Sequence, residues 1–142
     1  WNTFNTEEEL YEVLLNHVRE YEQVAPEVVE HESMAAEDAD LLIIAHGVVA
    51  RAAKQAVEQL RGEGLRVGHF RPITLRPMPV EALRDAAGRV KKILVVESAY
   101  GQLGKLVRDA LYGLSVEMFP LYKPGMGVIP EEVVARSREL IG

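Results

Sequence analysis

The stretch "DLLIIAHG", Asp40–Gly47, decides the fold. Four large aliphatic residues run between an acid and a glycine, with no polar position to face water. That is the pattern of a short strand buried on both faces, which occurs where helices cover both sides of a parallel sheet. A helix should follow at once, and Ala52, Ala53, Ala56, Val57 and Leu60 do recur on one helical face before Gly62 and Gly64 end it. "LRVGHF" then predicts a second strand. Val80, Leu83 and Ala87 mark a second helix, with Pro79 near its first turn. "KILVVE" predicts a third strand, and Leu103, Leu106, Val107, Ala110 and Leu111 a third helix face. "SVEMF" reads as a fourth strand, and Pro130-Glu131-Glu132 opens a last helix with its acids at the positive end.

Strand and helix thus alternate from Asp40 to Gly113. Such units join parallel strands by right-handed crossovers. The expected fold is α/β: an open, mainly parallel sheet of four or five strands with helices on both faces, preceded by an N-terminal helix. That helix is signalled by the capping box Thr6-Glu7-Glu8-Glu9 and by Leu10, Val13, Leu14, Val18 and Tyr21 at helical spacing, and should end before Pro26. Glu27–Ala39 shows no firm period and reads as a linker. The expected organisation is residues 1–37 as helix and linker from a preceding domain, and 38–142 as the α/β domain. Trp1-Asn2-Thr3-Phe4, aromatic and without an initiator methionine, reads as the interior of a longer protein.

The 142 residues are 48% hydrophobic and 27% charged, with a formal net charge of −6. An acidic balance argues against nucleic-acid binding. No apolar run reaches the ~18–20 residues that span a bilayer, and the N-terminus is too polar for a signal peptide. The expected compartment is the cytoplasm. Cys is absent, which excludes disulfides and thiolate-held metals or iron–sulfur clusters on these residues.

In open α/β sheets, ligands gather at the carboxyl ends of the strands. Those ends are His46-Gly47, Arg71-Pro72-Ile73-Thr74, Glu97-Ser98-Ala99-Tyr100 and Leu121-Tyr122. His46 and Gly47 precede a helix whose free amides could hold an anion, although a tight turn alone explains the glycine. Gly101-Gln102-Leu103-Gly104 is neither a P-loop nor a dinucleotide fingerprint, and close helix packing accounts for it. Glu97 ends a buried strand and could act as an acid or base, or could serve Arg71 or backbone donors. Ser98 lacks a nucleophile-elbow context. The histidines at 17, 31, 46 and 69 show no metal-ligand spacing. These residues build no complete catalytic set, so no catalytic or metal residue is assigned. His46, Gly47, Glu97 and Ser98 stand as cofactor-binding candidates.

The order "IIAHG", "AAKQAVEQLRGEG", "VGHFRPITLRPMP", "VKKILVVESAYGQLGKLVRDAL" and "GVIPEEV" resembles the C-terminal part of the alpha subunit of 2-oxoacid:ferredoxin oxidoreductases, of the 2-oxoisovalerate or 2-oxoglutarate type. It is similar, more loosely, to the transketolase C-terminal domain. The resemblance covers about Asp38–Gly142. It implies a complex that oxidatively decarboxylates a 2-oxoacid, passes the acyl group to coenzyme A and sends electrons to ferredoxin. Thiamine diphosphate with magnesium would sit between a preceding domain of the same subunit and a beta subunit, and iron–sulfur clusters on other parts. The resemblance transfers no catalytic residue here; the chain alone is expected to be inactive, with a role in assembly and active-site walls.

"FRPITLRPMPVEAL", Phe70–Leu83, fits that role. Its prolines fix φ and lower the entropic cost of one shape. Arg71 and Arg76 would project as a basic ridge, with Thr74, Tyr100 and Gln102 as further interface candidates. The plainer alternative is a rigid connection with Arg71 paired to Glu97. A stand-alone flavodoxin-like nucleotide or coenzyme A module and a ligand-free oligomerisation domain are the competing readings.

Overall fold

The computed structural model describes residues 7–142, with side chains from 10–20 and from 29 onwards. The sheet has five strands: β1 (His31–Met34), β2 (Leu41–Ile44), β3 (Val67–Pro72), β4 (Lys92–Glu97) and β5 (Glu117–Tyr122). Their spatial order is β1-β3-β2-β4-β5. The last four are parallel, and β1 runs antiparallel on the edge, His31 opposite Pro72 and Met34 opposite His69. Among the described residues five helices accompany them: α1 (Glu7–Val28), α2 (Val49–Gly62), α3 (Val80–Ala87), α4 (Gln102–Ala110) and α5 (Pro130–Ile141).

The decisive stretch behaves as its composition requires. Leu41 to Ala45 are at most 1% exposed. Alternation along the pleat sends Leu42 and Ile44 to one face, with Phe70, Ile93 and Val95, under Leu83 of α3 and Leu103 and Val107 of α4. Leu41 and Ile43 go to the other, with Val67, Leu94 and Val96, under Ala53, Ala56 and Val57 of α2 and Val133 of α5. The two faces form two separate cores, and burying each Leu or Ile contributes about 1.5–3 kcal/mol. The expected α/β sheet with helices on both faces is the observed one.

Three expectations change. β1 lies inside the stretch read as a linker. His31-Glu32-Ser33-Met34 is polar and carries no apolar alternation because it is an edge strand, where charged side chains are the rule; its structure comes from pairing with β3. His31 also stacks on Phe70, ring centres 5.1 Å apart and planes 7° from parallel. Second, α1 continues past Pro26 to Val28, so that the proline falls in its last turn. Third, β5 begins two residues later than "SVEMF" and runs to Tyr122; Pro120 is tolerated there because β5 is the other edge. Thr6 of the expected capping box lies outside the described residues.

α1 itself does not pack its apolar stripe: Leu10, Tyr11, Leu14 and Val18 are 41%, 64%, 52% and 53% exposed. No described helix is long and apolar enough to cross a membrane.

Candidate functional site: the carboxyl-end rim of the sheet

From β2 the chain turns to β3 on one side; from β3 it crosses to β4 on the other. The strand order therefore reverses between β2 and β4, and the crevice of an open α/β sheet lies at that point. Two cavities flank it. One, of about 320 Å³, is lined by Val48, Val49, Ser98 and the Gly125–Val128 loop. The other, of about 390 Å³, lies between β1, the ends of β2 and β3, and the start of α2.

Gly47 joins β2 to α2 at φ +60°, the left-handed region, and a Cβ there would meet nothing within 4 Å. Glycine is required for the turn, not for space. The half-buried His46 stands beside it. α2 then starts with no side-chain cap and no acid in its first turn; its third residue is Arg51.

Glu97 is 2% exposed. Its carboxylate accepts from two backbone amides at the start of α4, Oε1 from Leu103 at 3.1 Å and Oε2 from Gly104 at 2.8 Å. The acid thus caps α4 from the neighbouring strand, at the end where a helix favours negative charge. This corrects the suggested Arg71–Glu97 pair: Arg71 sits two strands away on β3 and pairs across to β1, Nη1 to Glu32 Oε2 at 3.3 Å. It also removes Glu97 from the list of free acids.

The G-x-x-G stretch serves the same corner. Gly101 sits at φ +93° as the residue before α4. A Cβ on Gly104 would collide with the Tyr122 hydroxyl and lie 3.1 Å from Tyr122 Cζ. Burial first, then the Glu97 charge, raises the Tyr122 hydroxyl above its ordinary pKa, with Arg108 opposing.

The remaining candidates divide. Thr74 Oγ1 accepts from the Glu30 amide at 3.0 Å, and Gln102 Oε1 accepts from the Tyr100 amide at 2.7 Å. Both are engaged in local structure. Ser98 is exposed at the smaller cavity, and its carbonyl accepts from the Gly125 amide at 3.2 Å. Arg76 is exposed, and Tyr100 is 80% exposed. Arg71 lines the larger cavity.

One residue of the rim was missed by sequence reasoning. His69 is 4% exposed, lines the larger cavity, and has no partner at Nε2. Burial pushes it down to about 4, against the opposing influence of the Ala45 backbone and of Glu32, and with Arg71 and Lys54 adding to the depression. Its place inside "LRVGHF" was the available signal, a polar residue at an inward strand position.

Residues 39–131 match the family described as pyruvate:ferredoxin oxidoreductase core domain II. The chain belongs to that family. Among curated relatives of this core domain II chain, the ketoisovalerate oxidoreductase subunit VorB of Methanothermobacter thermautotrophicus is 32% identical over 123 residues, which is 86% of this chain and 34% of that protein. The 2-oxoglutarate synthase subunit KorA of Methanothermobacter marburgensis is 32% identical over 112 residues, 78% of this chain and 28% of that one. The chain therefore spans about a third of the length of these relatives. A solved 2-oxoglutarate:ferredoxin oxidoreductase from Magnetococcus marinus, with 2-oxoglutarate, coenzyme A and succinyl-CoA bound, superposes with TM-score 0.81 and 25% identity over 98% of this chain and 24% of that one. A split-gene transketolase, an inactive beta4 tetramer, shares the fold at TM-score 0.62 and 23% identity, over 78% of this chain and 40% of that one.

Proposed function

We propose that this core domain II works within the alpha subunit of a 2-oxoacid:ferredoxin oxidoreductase, forming assembly surfaces and active-site walls, and contributes no reacting group of its own. The complex would oxidatively decarboxylate a 2-oxoacid to its acyl-coenzyme A and pass electrons to ferredoxin. The relatives named above point to a branched-chain or dicarboxylic 2-oxoacid. The observation that carries the supporting role is Glu97. A strand-end acid that is 2% exposed and accepts a backbone amide on each oxygen is held by the fold as a helix cap, shielded from a reactant in solution.

The cofactors implied for the complex do not fit this donor set. Among the described residues no three His, Cys, Asp or Glu side chains gather to hold a metal ion. With no cysteine in the sequence, no thiolate is available for a cluster. Thiamine diphosphate, magnesium and iron–sulfur clusters therefore belong, in this reading, to the preceding domain, the beta subunit and other parts. Coenzyme A and ferredoxin are partners of the complex. The family match and the relatives favour this reading over a stand-alone flavodoxin-like module.

The test is calorimetry and assembly together. The chain should show no thiamine diphosphate binding that requires Glu97, should turn over no 2-oxoacid alone, and should co-elute with the cofactor-bearing beta subunit and the rest of its own subunit. Micromolar thiamine diphosphate binding by the chain alone, abolished in Glu97→Gln, would overturn it.

A further inference from the structure

The larger rim cavity carries charges that its own neighbours do not balance. Arg51 and Lys54 lie three apart on α2 and so share one helix face; both line the cavity with Arg71. The acid among the lining residues is Glu32, which Arg71 already meets at 3.3 Å. Three cations against one carboxylate leave a surplus of two positive charges. The start of α2 adds to it. Its first amides are free of any side-chain cap, no acid stands in the first turn, and Arg51 occupies a position where the helix dipole disfavours a cation. That arrangement is unfavourable until an anion joins it.

Two buried polar atoms belong to residues that line the same space. His69, 4% exposed, has no partner at Nε2, and Arg71 has none at Nε. A guanidinium Nε–H requires an acceptor. The imidazole, whose other interaction is with the Ala45 backbone, requires a donor. A buried polar atom without a partner costs free energy that a native structure normally recovers from water or ligand. One group supplies negative charge, acceptor oxygens and an O–H together: a phosphate. The volume, about 390 Å³, lies within the range of small-molecule sites and exceeds what phosphate alone fills.

We propose that the cavity between β1, β3 and the start of α2 binds the phosphate group of a small phosphorylated molecule, held by Arg51, Lys54 and Arg71, with His69 as the buried wall. The site stands apart from the assembly role proposed above, so its failure would leave that role untouched, and the reverse.

The test uses the purified chain with inorganic phosphate as probe. Histidine-selective nuclear magnetic resonance should show the His69 ring signals shifting saturably with phosphate. Arg51→Gln with Lys54→Gln should raise the dissociation constant at least tenfold, since both side chains are exposed and their loss leaves the fold intact. Lys91→Gln with Lys105→Gln, an equal change of charge elsewhere, should alter it less than twofold. Glycerol 3-phosphate as a second probe separates the sources: tighter binding than inorganic phosphate assigns an organic phosphate, equal binding a free one. A His69 signal that stays still, or equal weakening by the two lysine-containing pairs, would overturn the site.

Discussion

Glu97 and Gly104 are joined across the β4–α4 corner by a 2.8 Å hydrogen bond from the Gly104 amide to the buried carboxylate. A side chain at the end of one strand thereby fixes where the next helix begins, and no residue of that helix caps it. Exchanging Glu97 for Gln keeps the shape but turns one acceptor into a donor facing an amide. We expect a loss of about 1–3 kcal/mol, seen as a lower urea midpoint with an unchanged slope. An unaltered midpoint would show that the capping contributes nothing.

Gly104 depends equally on Tyr122. In Gly104→Ala the new methyl would collide with the tyrosine hydroxyl, an overpacking that costs about 1–3 kcal/mol. Tyr122→Phe in the same chain removes the first obstacle and leaves Cζ at 3.1 Å. A double-mutant cycle should therefore give partial recovery, a coupling of at least ~0.5 kcal/mol. Strict additivity would mean that the two residues do not meet.

His69 sets a pH dependence of known sign. Its folded pKa, about 4, lies below the ordinary histidine value of 6.5. The unfolded chain therefore takes up a proton first as pH falls. Stability is full above pH 6.5, declines as pH drops from there toward 4, and is then flat for this group. The depression corresponds to at most ~3 kcal/mol. Asp38, Glu63 and Glu132, each lowered first by a hydrogen bond from a basic partner, act in the same direction but below their ordinary range near pH 4. Between pH 6.5 and 5 the slope should belong largely to His69 and should flatten in His69→Gln. Thermal melts across that window decide it.

The fold was legible wherever burial dictated composition. Asp40–Gly47 is apolar on both sides because α2 and α5 cover one face of the sheet and α3 and α4 the other, and such a segment has few alternatives. β1 was illegible for the opposite reason: an edge strand has solvent on one side, and His31-Glu32-Ser33-Met34 holds its place through ladder bonds that any sequence can make. The rim divided in the same way. Glu97 stood out as an acid ending an apolar strand, but its partners are amides of its own chain, and amides have no signature in a sequence. Arg71 invited a pairing with Glu97 because both end strands; the strand order, which places β2 between β3 and β4, forbids it.

The same edge strand sets an expectation for where the folding unit begins. Glu30 bonds through its carbonyl to the Ile73 and Thr74 amides, and β1 follows at once. Removing residues 1–29 should leave a cooperative melt within a few degrees of the whole chain, because the apolar stripe of α1 is exposed. Removing 1–37 strips β1 and the His31–Phe70 stack, and should lower Tm by roughly 4–8 °C or more. Equal melts for the two truncations would make β1 dispensable, and a collapse on removing 1–29 would assign α1 to the core.

Assembly should depend on residues that the fold itself does not need. Arg76 and Tyr100 meet that condition on the rim: Arg76 is exposed, and Tyr100 is 80% exposed. Thr74 and Gln102 are engaged by local backbone amides, and Arg71 by Glu32. An exposed aromatic and an arginine are the side chains on which interface energy concentrates, whereas a solvated charge contributes little to stability, ~0–1 kcal/mol. The prolines at 77 and 79 lower the entropy that the Arg76 segment loses on docking. Arg76→Glu and Tyr100→Ala should each leave Tm within about 2 °C, given the small effects of exposed sites. Together they should weaken association with the beta subunit proposed above by at least tenfold, about 1.4 kcal/mol, in analytical ultracentrifugation or titration. Arg71→Glu, by contrast, places two acids side by side at the β1–β3 edge and should cost stability as well as association. If Arg76 and Tyr100 changes lower Tm and association in parallel, these residues belong to the fold and the assembly surface lies elsewhere on the chain.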